Sequence, residues 1–230
     1  PIFVSVRSSA TTEDLADASF AGQQESFLNI KGDRNLIENI KKCFSSLYTS
    51  RAIYYRHKKG FSEGASLAVI IQKMVDSEKS GVVFSKNPMN LKNNIVIEAV
   101  FGLGEGIVSG KIKPDYYVVE NSELKDVQTA DKKIAIVRTG SGDNEIIKLS
   151  PGKSKSQVLT KQEILEIARY ALKLEEHYKK PQDIEFALED GKVYVVQSRP
   201  ITTKAREQRH TAISGKIILE GLGASPGIGV

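Results

Sequence analysis

The 230-residue chain has no tryptophan, one cysteine, two methionines and three histidines. The lone Cys43 excludes an internal disulfide framework and fits a reducing cytosol, so a cytoplasmic location is expected. No run approaches the ~18 consecutive apolar residues of a membrane span. No signal-peptide pattern is visible either, and no membrane partner is expected. The net charge of +5 is mild, with acids interleaved among the lysines. A nucleic-acid binder would need a concentrated basic stripe with aromatics, and none is present.

What remains is ordinary globular composition: 40% apolar and 27% charged residues, enough for one large domain or two smaller ones. The chain starts at Pro1, without Met, directly in the strand-like Ile2-Phe3-Val4-Ser5-Val6, which reads as a segment of a longer protein. Residues 7–24 are small and polar, with Gly22 near the end. Their hydroxyls and backbone N–H groups suit a phosphate-wrapping loop, with a plain surface loop as the alternative.

Asp33 is placed to N-cap a helix whose Leu36, Ile37, Ile40, Phe44 and Leu47 repeat at helical spacing, with Cys43 on that face as a core residue. A second helix is expected over residues 50–58, with Tyr54, Tyr55 and His57 as packing and surface residues. The apolar run 66–75, a turn at 76–79 and the strand 81–85 predict a hairpin by spacing. Residues 94–100 form another strand, with Glu98 among apolar neighbours, where a buried carboxylate needs a partner. The glycines at 102, 104 and 106 do not complete the dinucleotide fingerprint, which excludes a Rossmann unit. Short strands follow near 116–120, 124–129, 132–138 and 145–149. Thr160-Lys161-Gln162-Glu163 is a capping box for a helix carrying Ile164, Ile167, Ala168, Ala171, Leu172 and Leu174, which Pro181 stops. His177 at its end reads as a solvated cap.

The most informative stretch is Asp183-Ile184-Glu185-Phe186 through Val195-Val196-Gln197-Ser198-Arg199, two strands around Asp190-Gly191. Alternation puts Asp183 with Glu185 on one face, and Gln197 with Arg199 on another. A three-residue loop, Glu189-Asp190-Gly191, pairs Asp183 with Gln197 and joins the two faces; a two-residue loop splits them. The three-residue loop is expected, with Ile184, Phe186, Leu188, Tyr194 and Val196 pointing the other way. Two carboxylates, an amide oxygen and a guanidinium on one face suit a divalent cation on polyphosphate, and equally an exposed polar sheet face.

Several segments resemble, in order, the nucleotide-binding domain of the phosphoenolpyruvate synthase (pyruvate, water dikinase) family. They are Val6-Arg7-Ser8-Ser9-Ala10-Thr11, Ala18-Ser19-Phe20-Ala21-Gly22-Gln23-Gln24, Gln72-Lys73-Met74-Val75, Ser80-Gly81-Val82, Gly102-Leu103-Gly104-Glu105 and Asp183-Ile184-Glu185…Gln197-Ser198-Arg199-Pro200. The resemblance covers about residues 1–200. It implies an α+β, ATP-grasp fold whose antiparallel sheets clamp ATP, with the amino-terminal part missing. Residues 201–215 read as a linker, and residues 216–230 resemble the start of the family's phosphohistidine domain.

For the site, the resemblance implies that Arg7 and Arg199 are catalytic, neutralising the phosphates. It implies ATP contacts from Arg7, Thr11, Gly22, Gln23, Gln72, Met74, Val75, Glu98, Asp183, Glu185, Gln197 and Arg199, with Mg2+ held by Glu185 and Gln197. The 72–75 segment would face the adenine, mostly through backbone. The implied reaction converts pyruvate, ATP and water to phosphoenolpyruvate, AMP and phosphate through a phosphohistidine. None of His57, His177 and His210 sits in such a setting, so the implied partners are the phosphohistidine and pyruvate-binding domains of the same protein, and this segment alone would make no phosphoenolpyruvate. A homodimer of the parent enzyme stays open. The rifamycin phosphotransferases share the Arg-Ser-Ser-Ala-Thr segment and the Gly-Gln-Gln turn. Pyruvate phosphate dikinase continues differently after Arg-Ser, and a non-catalytic nucleotide-binding module is the remaining reading.

Overall fold

The computed structural model describes residues 2–10, 26–58, 66–88 and 93–201. Thr11, Gly22, Gln23 and the rest of the polar loop lie outside the described residues. So do His210, nearly all of the expected linker and the 216–230 segment.

The first unit is a three-stranded antiparallel sheet in the order β2-β1-β3, built from β1 (Val4–Ala10), β2 (Ser26–Ile30) and β3 (Leu67–Lys73). The helices α1 (Asp33–Ser46) and α2 (Ser50–Lys58) lie between β2 and β3 in the chain, and α1 packs on all three strands. Val6 and Cys43 are fully buried, and the Cys43 thiol points to the Val6 carbonyl. The sequence placed Cys43 correctly, but Gly32, at φ 83°, is the N-cap of α1 rather than Asp33. Ile37 and Phe44 are also exposed, because the face of α1 turned to the sheet carries Asn39, Cys43 and Ser46. The apolar spacing did not reveal that these polar and small positions would face the sheet. On α2, Tyr54 is exposed; the Tyr55 side chain lies outside the described residues.

The second unit is a six-stranded antiparallel sheet in the order β11-β10-β4-β5-β6-β7. Its strands are β4 (Lys79–Phe84), β5 (Ile95–Phe101), β6 (Asp115–Glu120), β7 (Glu123–Gln128), β10 (Gln182–Glu189) and β11 (Lys192–Pro200). A short helix α3 (Glu105–Val108) follows β5. A separate hairpin, β8 (Ile134–Arg138) with β9 (Asn144–Lys148), precedes α4 (Pro151–Ser154) and α5 (Lys161–Tyr178). The run 66–75 and the strand at 81–85 therefore do not form the expected hairpin: β3 pairs with β1, and β4 pairs with β10 and β5. The polar residues between them carry the chain from one sheet to the other.

Helix α5 covers one face of the large sheet. Its Ile164, Ile167, Ala168 and Ala171 are buried against Val83, Ile97, Ile184 and Phe186. Each large apolar side chain so buried contributes roughly 1.5–3 kcal/mol. The capping box is present: Thr160 N–H donates to Glu163 at 2.7 Å, and Glu163 N–H donates to the Thr160 hydroxyl at 3.3 Å. Lys79 pairs with Glu163 at 2.8 Å, tying the helix start to β4. Burial alone would raise the Glu163 pKa, but Lys79 and the Thr160 N–H outweigh it and hold the carboxyl below its usual value. Leu172, expected on the buried face, is exposed, and His177 is exposed at the helix end as expected.

A fully buried ion pair, Lys132 with Asp115, fastens the hairpin's base to the sheet. Asp115 also accepts from the backbone N–H groups of Ala130 and Val158, both at 2.8 Å, and from the Tyr117 hydroxyl at 3.0 Å. Lys132 donates further to the Ala130 carbonyl at 2.8 Å. The face of the large sheet turned away from α5 looks toward the small sheet, and the candidate site lies between them.

Candidate functional site

The β10–β11 hairpin closes on a two-residue turn, not the three-residue loop expected. Asp190 and Gly191 have φ 52° and 71°, and Glu189 pairs with Lys192. Carried on regularly, that register would turn Gln197 and Arg199 away from the carboxylates. A β-bulge prevents it: Phe186 pairs with Val195, but Glu185 pairs with Gln197, leaving Val196 as the extra residue. Asp183 then pairs with Arg199 instead of Gln197. The four polar side chains share one face as predicted, by a different mechanism. Tyr194 is corrected too: it pairs with Ala187 and lines the cleft with it, while Val193 packs toward the core. Val196 also lines the cleft.

Between the sheets lies a cleft of about 420 Å3. Arg7, Gln72, Met74, Val75 and Glu185 line it, so the structure brings these predicted residues together. Among the described residues, side-chain hydrogen bonds cross from sheet to sheet. Arg7 donates to the Gln197 side-chain oxygen, and the Gln72 amide donates to the Val196 carbonyl at 3.1 Å. The bulge thus frees a carbonyl that the small sheet uses.

Farther along the same face, two nitrogens of Arg199 reach one Asp183 oxygen, both at 2.8 Å. Glu98 lies on this face too. Glu185 pairs with Val82, Val82 with Glu98, and Glu98 with Tyr116. Opposite residues share a face, so Glu98 sits two strand spacings, ~9–10 Å, from Glu185. Strand β5 is interior to the sheet. Burial raises the Glu98 pKa, and the carboxylate makes no hydrogen bond or ion pair with another described residue.

Glu185 and Gln197 offer two oxygens side by side, hard donors suited to Mg2+. Among the described residues, no three His, Cys, Asp or Glu side chains gather into a metal site. A divalent cation held by the Glu185 and Gln197 side chains would need further oxygens from elsewhere.

The backbone edge of β3 matters as well. Met74 N–H donates to the Phe3 carbonyl at 2.9 Å. In an antiparallel pair, bonded and outward-facing residues alternate, so the Lys73 peptide groups, and Val75 by continuation, face away from β1. Sequence reasoning had Lys73 only as a member of the backbone-contacting 72–75 segment, because an outward backbone edge shows only once the pairing is known. It also left Glu105 as part of a motif, although this residue lines the cleft and accepts from Asn144 at 2.6 Å.

Two sheets of unequal size facing across a cleft, joined by one crossover and lined by arginine, glutamine and carboxylates, define a nucleotide-binding domain of the ATP-grasp kind. Residues 2–216 match the family described as pyruvate phosphate dikinase, AMP/ATP-binding domain, and the chain belongs to that family. It is 50% identical over 236 residues to a probable phosphoenolpyruvate synthase of Archaeoglobus fulgidus, covering 99% of this chain and 31% of that protein. It is 47% identical over 245 residues to the phosphoenolpyruvate synthase of Pyrococcus furiosus, covering 99% of this chain and 30% of that protein. A rifampicin phosphotransferase of Bacillus cereus is 47% identical over 200 residues, 86% of this chain and 23% of that protein. The chain thus spans about a third or less of the length of these relatives.

Proposed function

We propose that the cleft binds Mg–ATP and that the chain is the nucleotide-binding part of a phosphoenolpyruvate synthase. The observation that carries this is the meeting of Arg7 with Gln197 beside Glu185, which brings a cation from one sheet to an oxygen pair on the other. The adenine would lie against the outward edge of β3, giving its amino group to the Lys73 carbonyl and its N1 to the Val75 N–H. The triphosphate would run toward Arg7 and the row formed by Glu185, Gln197, Asp183 and Arg199.

ATP phosphates repel an approaching nucleophile. Arg7 and Arg199 are placed to offset charge that develops as a phosphoryl group leaves. Bound magnesium would supply further charge neutralisation on the phosphate oxygens, held by Glu185 and Gln197. Arg7 and Gln197 satisfy each other in the structure, as do Arg199 and Asp183, so both arginines are already aimed before a ligand arrives. The acceptor in the whole protein would be a histidine on a domain beyond residues 1–200, reached across the 201–215 linker, with pyruvate as the final acceptor.

In the full-length protein, Glu185→Ala and Arg199→Ala should abolish phosphorylation of that histidine from ATP while leaving the melting temperature near wild type. Phosphorylation retained in both variants refutes the site. Relatives named phosphoenolpyruvate synthase and rifampicin phosphotransferase both match this chain. Supplying pyruvate or rifampicin to the phosphorylated protein decides between them, and product from rifampicin alone overturns the synthase reading.

A further inference from the structure

The chain passes from the small sheet to the large one at residues 74–78, and the tip of the β8–β9 hairpin is closed onto that crossover. Arg138, whose side chain is 11% exposed, donates from one guanidinium nitrogen to Asp76 at 2.9 Å. Its guanidinium carbon lies 4.7 Å from the centre of the Phe3 ring, on which the Lys31 ammonium also rests at 5.0 Å. Phe3 in turn accepts the Met74 N–H. Gly142, at φ 103°, approaches the same ring so closely that a Cβ there would stand 2.4 Å from it. Asn144 bridges the two units, donating to Glu105 at 2.6 Å and accepting from Asn29 at 2.6 Å.

One feature of Arg138 is costly for stability alone. Its second terminal nitrogen is buried with no hydrogen-bond partner among the described residues. An unpaired buried donor costs free energy, whereas an apolar residue could cover Phe3 without that cost. What the guanidinium adds is a fixed connection from β8 to Asp76 and Phe3, on either side of Met74.

We propose that Arg138 is a positioning residue for nucleobase recognition, holding the strand end whose outward edge at Lys73 and Val75 reads adenine. This rests on the reading of the cleft as an ATP site. Adenine presents a donor at its 6-position and an acceptor at N1, and guanine presents the reverse. A C=O and an N–H in that order accept the first and repel the second, but only if the edge is held in place. Letting it drift should cost about one hydrogen bond to adenine, a three- to tenfold loss of about 0.5–1.5 kcal/mol. Contacts to the triphosphate lie on other strands and should not change.

The test is calorimetric titration of the full-length protein with ATP, GTP and tripolyphosphate, each with magnesium. Wild type should prefer ATP to GTP. In Arg138→Gln that preference should fall about three- to tenfold, with tripolyphosphate binding within twofold of wild type. Asp76→Asn, at a 55% exposed position, should shift the preference the same way if Arg138→Gln does not fold. An unchanged ATP/GTP ratio, or an equal loss for all three ligands, overturns the inference while leaving the ATP site standing. A wild-type protein that binds no ATP overturns the reading of the cleft and this inference with it.

Discussion

Replacing Lys132 with methionine should destabilise the domain by ~3 kcal/mol. Both side chains of the Lys132–Asp115 pair are wholly buried, so neither charge has water to fall back on. Removing one partner of such a pair typically costs ~3–5 kcal/mol, because the other charge is left behind. Asp115 would keep three donors, from Ala130, Val158 and Tyr117, which places the cost at the lower end. Tyr117 remains a hydroxyl donor throughout. Burial pushes its pKa far above the usual range; the Leu159 N–H pulls the other way, and Asp115 adds to the rise. For a domain of this size, ~1 kcal/mol shifts the melting temperature by ~2–4 °C, so a fall of ~6–12 °C is expected. Urea unfolding at neutral pH gives the free energy, and calorimetry the temperature. The double variant Lys132→Met with Asp115→Asn removes both charges and should recover part of the loss. A single variant within ~1 kcal/mol of wild type, or a double variant worse than the single, would refute the electrostatic reasoning.

Glu98→Gln should act in the opposite sense near neutral pH. The folded-state pKa of Glu98 is raised by burial, so its contribution is most favourable below the unfolded value and is lost as pH rises through the folded one. At pH 7 the variant should melt above wild type, with the gap closing toward about pH 4; a lower melting temperature at pH 7 would contradict the assignment. Glu163 has a lowered pKa, so its contribution is full above the unfolded value and lost as pH falls through the folded one. Glu163→Gln should therefore cost ~1 kcal/mol at pH 7 and almost nothing in acid, read from melting curves across pH. Gly102→Ala should cost at least ~1–3 kcal/mol, read from urea midpoints, since Gly102 has φ 79° and a Cβ would lie 2.1 Å from the Ile136 carbonyl oxygen.

Local signals were the most legible in the sequence. Thr160 and Glu163 announced α5, and Asp190-Gly191 announced a turn. The turn's length was not readable, because a two-residue turn plus a bulge and a three-residue loop leave Glu185, Gln197 and Arg199 on the same face. Nor was strand partnership: a short polar connection between two apolar runs is identical whether the runs pair or enter different sheets, as β3 and β4 do. The individual side chains of the cleft were legible because they carry charge or an amide. Lys73 was legible only as part of the 72–75 segment, since the direction in which its peptide groups face has no sequence signature. Arg138 was passed over as the end of a short strand; nothing in the chain order places residue 138 against Phe3 and Asp76.

The single extra residue in β11 separates two properties that usually travel together. Deleting Val196 would leave each strand pair of the β10–β11 hairpin able to form, with Glu185 still opposite Gln197 and Asp183 still opposite Arg199. What would vanish is the carbonyl that Gln72 reaches from the other sheet. A one-residue gap at this point in a homologous chain would thus keep the polar row intact while releasing one link across the cleft. In such lineages the opening between the sheets could change by indel, with every ligand-facing side chain preserved.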